Sequence, residues 1–148
     1  MKQKVTIEII CSLLILLFVY AAASKLLNYS LFLSQLKESQ FLSPFASIIA
    51  WFIPTIELTI SLMLTAMVTR TIGLFASFIL LFLFTLYIAV MLLSGNHLPC
   101  TCGGVIQSLN WKGHLAFNLF FMALPIAGIV LEKKQLTSET QKKIETFS

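Results

Sequence analysis

Four stretches of this chain stay apolar for about 20 residues or more, the length a helix needs to cross the roughly 30 Å hydrocarbon core of a bilayer at 1.5 Å per residue. They run Val5 to Leu27, Pro44 to Val68, Thr71 to Leu93 and Trp111 to Leu131. In hydrocarbon the backbone has no water to bond, so each run must satisfy its own N–H and C=O groups, which a helix does. The expected fold is therefore all-α, an integral membrane four-helix bundle. One membrane domain is expected over residues 1–131, followed by a polar tail over 132–148. The charged fraction of 11% leaves little for a soluble domain, in which about a quarter of residues are charged.

The formal charge of +4 points to the lipid surface, because the lysines gather near the two ends of the chain, where anionic headgroups and insertion rules account for them. Nucleic acid is not an expected partner. The bilayer itself is. An alternative reading of the N-terminus is a signal peptide, with Lys2 and Lys4, an apolar run and Ala21-Ala22-Ala23 as a small-residue cleavage site. The loop assignments below survive either way.

Four spans put both termini on one side. Lys2, Lys4, Arg70, Lys133, Lys134, Lys142 and Lys143 fall on that side, and Lys25, Lys37 and Lys112 on the other. By the positive-inside rule the richer side is cytoplasmic. The expected location is a bacterial inner membrane, with cytoplasmic termini and the loops Asn28 to Ser43 and Ser94 to Asn110 facing the periplasm. The Thr69-Arg70-Thr71 link makes spans two and three antiparallel neighbours. In the first loop Leu31, Phe32, Leu33, Leu36, Phe41 and Leu42 have partial helical spacing, as in an amphipathic helix lying in the interface. The tail from Glu132 onward lacks a strong apolar face and reads as frayed or partly helical.

The second loop carries Pro99-Cys100-Thr101-Cys102-Gly103-Gly104. With one residue between them, Cys100 and Cys102 can reach the Cα separation of about 4.4–6.8 Å that a disulfide tolerates. The small ring would be strained and therefore labile, which suits exchange chemistry better than a structural bond. An oxidising compartment is where such a bond persists. A metal site is the alternative, with His97 joining the two thiolates around Cu(I) or Zn(II); a closed zinc site wants a fourth ligand, for which His114 is the candidate in reach. His97 otherwise reads as a loop cation that lowers a thiol's pKa, and His114 as an interfacial residue. Cys11, roughly 20 Å of helix from the loop at 1.5 Å per residue, reads as a packed apolar side chain.

Glu57 sits near the middle of span two, three residues after Pro54. A charge there costs about 2.5–3.5 kcal/mol on insertion scales, so it should face the bundle interior. One reading makes it a proton acceptor for thiol or quinone chemistry; the other makes it a protonated acid bonded across the bundle to Ser61, Ser77 or Asn118. Lys25, at the end of span one, reads as a lysine snorkelling to the headgroups. A direct Lys25–Glu57 bond would require a large offset between the two helices. Trp51, Trp111, Tyr20 and Tyr87 read as interface anchors or packing. No pattern identifies a cofactor or a quinone pocket.

Ser24-Lys25-Leu26, Pro54-Thr55-Ile56-Glu57 and Cys100-Thr101-Cys102-Gly103-Gly104 ahead of Trp111, in this order and spacing, resemble the MauE family within the DoxX-like membrane proteins. The resemblance covers roughly residues 10–130. It implies a four-helix scaffold akin to disulfide-generating membrane oxidoreductases and a role in methylamine utilisation, assisting disulfide formation in a periplasmic dehydrogenase. It also matches Cys100 and Cys102 to the family's paired cysteines, Glu57 to its span-two acid and Lys25 to its span-one lysine. Gly103 stands where the family commonly has an aromatic residue.

The reading that follows is a redox-associated membrane protein whose Cys100/Cys102 couple exchanges disulfides with a periplasmic thioredoxin-like or cysteine-rich partner. Its rivals are a non-catalytic anchor or assembly subunit with a static Cys100–Cys102 bond, and metal handling by His97, Cys100 and Cys102.

Overall fold

The computed structural model describes residues 2–39, 42–93 and 111–147, which are helical apart from short joints. The elements are α1 (Lys2–Leu27), α2 (Tyr29–Glu38), a 3-10 turn (Ser43–Phe45), α3 (Ala46–Thr65), α4 (Arg70–Leu93) and α5 (Trp111–Phe147). Four segments have the length and composition to cross a membrane, namely Gln3–Leu27, Ser43–Thr65, Arg70–Val90 and Gly113–Ser138. They match the four apolar runs to within a few residues, save at the C-terminal end, where α5 continues through the polar tail to Phe147. A span already formed supplies the costly first turn, and the Glu, Lys and Gln that follow propagate a helix well.

The long helices form a closed ring in which α1 packs on α3, α3 on α4, α4 on α5 and α5 back on α1. The short joint at 66–69 makes α3 and α4 the antiparallel hairpin expected of it. Each helix is apolar nearly all round, so its outer face, with Leu16, Leu62, Phe82 and Phe120 exposed, suits lipid rather than water. Association then depends on close packing, since hydrocarbon offers no hydrophobic drive between helices. Ile7, Ile10, Cys11, Leu14 and Phe18 of α1 meet Ile60 and Leu64 of α3 and Leu74, Leu80 and Leu81 of α4 in one buried cluster. Two glycines let backbones approach. A Cβ on Gly73 would lie 3.2 Å from the backbone N of Leu64, and one on Gly128 would lie 3.1 Å from Leu74 Cδ2.

The first loop is helical, but it does more than lie flat. Phe32 and Leu36 of α2 are buried against Ala46 and Ala50 of α3, with Tyr29, Ile49 and Ile53 at the margin. α2 thus continues the wall where α1 has ended, covering the opening turns of α3. The Tyr29 and Trp51 rings meet at 5.5 Å, and Tyr87 of α4 donates to Ser39 Oγ at 3.2 Å. The end of the bundle that carries α2 is also where α4 stops and α5 begins.

Candidate functional site: a buried ion pair beside a cavity

Because α2 covers the start of α3, the C-terminal turn of α1 lies level with the middle of α3 instead of its first turn. Glu57 is 11 residues beyond Ala46, about 16 Å along the axis, yet Lys25 Nζ donates to Glu57 Oε1 at 2.7 Å. The side chains are 3% and 1% exposed. This corrects two expectations. Lys25 does not snorkel, since the large offset that a direct bond demands is what the α1–α2–α3 path supplies. Ser61 and Ser77 do not serve Glu57's carboxyl either; their hydroxyls donate to carbonyls of their own helices, Glu57 O at 2.9 Å and Gly73 O at 2.7 Å.

The Lys25 ammonium is held on several sides. Besides Glu57, it reaches the Ala21 carbonyl at 3.4 Å and lies 5.7 Å from the Phe84 ring centroid and 6.0 Å from that of Phe32. Aromatic faces carry negative potential and stabilise a cation that has left water. On α3, Pro54 is buried one turn before Glu57 and lacks the N–H that would close the helical bond to Ala50.

The pair forms one wall of a cavity of about 60 Å³. Tyr20 of α1, Tyr87 of α4, and His114 and Asn118 of α5 complete its polar lining, with Phe18, Phe84 and Phe117 among its apolar walls. His114 and Asn118 are each 7% exposed and sit one turn apart. His114 stands at the end of its span, Gly113–Ser138, the depth expected of an interfacial residue, with its side chain buried in the bundle; Tyr20 and Tyr87 line the same cavity. Asn118, named as a candidate partner for Glu57, shares the cavity with it.

These positions carried a signal in the sequence. Ile7, Cys11, Leu14, Phe18, Ala22 and Lys25 recur every three or four residues and form one buried stripe of α1, as Ala46, Ala50, Pro54, Glu57, Ser61 and Leu64 do on α3. His114, Asn118, Pro125 and Gly128 fall in the same register on α5. A charge in register with a core stripe faces inward whatever its depth.

Cys100, Cys102 and His97 lie outside the described residues, so the metal alternative does too. Among the described residues no cluster of three or more His, Cys, Asp or Glu could hold a metal. Cys11 is a free thiol buried in the apolar core, as its surroundings in the sequence suggest.

An integral four-helix architecture with an intramembrane Lys–Glu pair narrows the comparison with known proteins. The sequence profile of the family described as Methylamine utilisation protein MauE matches residues 3–131. The chain belongs to the MauE family. The match takes in α1 through the membrane-crossing part of α5, and with it Lys25, Glu57, His114 and Asn118. Neither a curated protein nor a solved structure matches the chain.

Proposed function

We propose that this MauE-family protein is a redox-associated component of a bacterial inner membrane, with cytoplasmic termini, whose Cys100/Cys102 couple exchanges disulfides with a periplasmic thioredoxin-like or cysteine-rich partner. The observation that carries the reading is the Cys100-Thr101-Cys102 spacing in the connection between α4 and α5. Those helices meet the connection at the end of the bundle away from both termini, and the lysine distribution assigns that end to the periplasm. The family's description extends the proposal to methylamine utilisation, where the client would be a periplasmic protein that requires disulfides.

In the exchange, one cysteine thiolate attacks a client disulfide, forms a mixed disulfide and expels the client's other sulfur as a thiolate. The second cysteine thiolate then attacks the mixed bond, closing Cys100–Cys102 and releasing the client dithiol. Two electrons pass from the pair to the client, and the reverse sequence oxidises the client. Cys100→Ser and Cys102→Ser variants test the proposal in cells. One of them should accumulate a mixed disulfide with a periplasmic protein, reversible by reductant on a non-reducing gel. A clean lane in both backgrounds overturns the exchange role.

A further inference from the structure

The cavity beside the ion pair is lined by two polar side chains whose hydrogen-bonding capacity no other described residue takes up. Among the described residues, the His114 ring nitrogens and the Asn118 amide make no hydrogen bond, although each residue is 7% exposed and both line the cavity. Buried polar groups in folded proteins are nearly always satisfied by protein or by ordered water. His114 offers a donor and an acceptor, and Asn118 two donors and an acceptor. Their free capacity faces the space that the Lys25–Glu57 pair also borders.

An engineered apolar cavity of about 150 Å³ stays dry and admits benzene, whereas one water takes about 30 Å³ of liquid. At about 60 Å³ the cavity has room for about two waters. It also has the several polar partners that a buried water requires.

We propose that His114 and Asn118 hold a small cluster of ordered water against the Lys25–Glu57 pair, and that this water gives the pair a proton-exchange route toward the α2 end of the bundle. Among the described residues, the ionisable groups around it are Lys25 and Tyr20 from α1, Glu57 from α3, Tyr87 from α4 and His114 itself from α5. Lys25 Nζ bonds Glu57 Oε1 at 2.7 Å, and the cavity borders both partners and His114, so water held there reaches the pair. The inference concerns the bundle interior and does not rest on the thiol reading.

Water-edited solid-state NMR on the full chain in lipid nanodiscs tests it. Magnetisation from water should reach the His114 ring and the Lys25 ammonium at least about five times faster than the amides of Leu14 and Ile60 in the dry core. Equal rates overturn the proposal. Asn118→Leu, which replaces a hydrogen-bonding wall with an apolar one, should slow transfer to His114 at least about two-fold, whereas Asn118→Ser should preserve it; transfer unchanged in Asn118→Leu also overturns the proposal. A Cys100→Ser/Cys102→Ser background should give the same rates as the parent chain, so failure of the exchange role and failure of the water site are distinguishable.

Discussion

The two halves of the bundle hold together by different physics. Toward the termini, Ile7, Leu14, Ile60, Leu64 and Leu74 pack closely around Gly73 and Gly128. Toward α2, the same four helices meet around an ion pair, two amphipathic tyrosines, a histidine, an asparagine and a cavity of about 60 Å³. The first arrangement is what membrane helices need for association, because only close contact distinguishes a helix neighbour from a lipid chain. The second sacrifices packing density to place charge and hydrogen-bonding groups within the span. Intramembrane ionisable residues are costly enough that such an arrangement points to function.

The sharpest way to break this contrast is to remove one charge. Glu57→Leu leaves the Lys25 ammonium buried without its carboxylate and should destabilise the bundle by about 3–5 kcal/mol. Adding Lys25→Met should recover most of that loss, since an uncompensated charge costs more than the absence of a pair. Reversible unfolding in mixed detergent micelles measures both; a double variant as unstable as Glu57→Leu would show that the pair itself, beyond mutual compensation, holds α1 to α3.

In the apolar half the corresponding perturbation is steric. Gly73→Ala drives a methyl toward the Leu64 backbone, where the structure leaves 3.2 Å. The α3–α4 contact should loosen at a cost of about 1–3 kcal/mol, visible in the same unfolding assay. The smallest effect is expected where neither kind of interaction operates. Thr55 is exposed and donates to the Trp51 carbonyl of its own helix at 2.7 Å, so Thr55→Val should change stability by no more than about 0.5 kcal/mol. A larger change would mean that this face of α3 contacts something other than lipid.

Much of the fold was legible before any coordinates. Hydrocarbon thickness and backbone satisfaction turn four apolar runs into four helices, and the three-residue link at Arg70 makes one pair adjacent. The tail beyond Leu131 was less legible, because its composition is equally compatible with fraying and with helix; attachment to a formed span decides for helix. Lys25 shows the limit most clearly. Counted from the end of its span it belongs at the headgroups, and counted along the register of Ile7, Leu14 and Phe18 it belongs in the core. Depth and register disagree, and register prevails because α2 packs on α3 and sets the two helices out of step.

The sequence by itself determined that this chain is a bundle of helices long and apolar enough to cross a membrane and that Glu57 must face inward, since these follow from local length and the cost of charge in hydrocarbon. Only the tertiary structure decided that Lys25 is the partner of Glu57 and that His114 and Asn118 close a cavity beside them. Vertical offset between helices depends on how a connecting segment packs, a long-range property that no local pattern encodes.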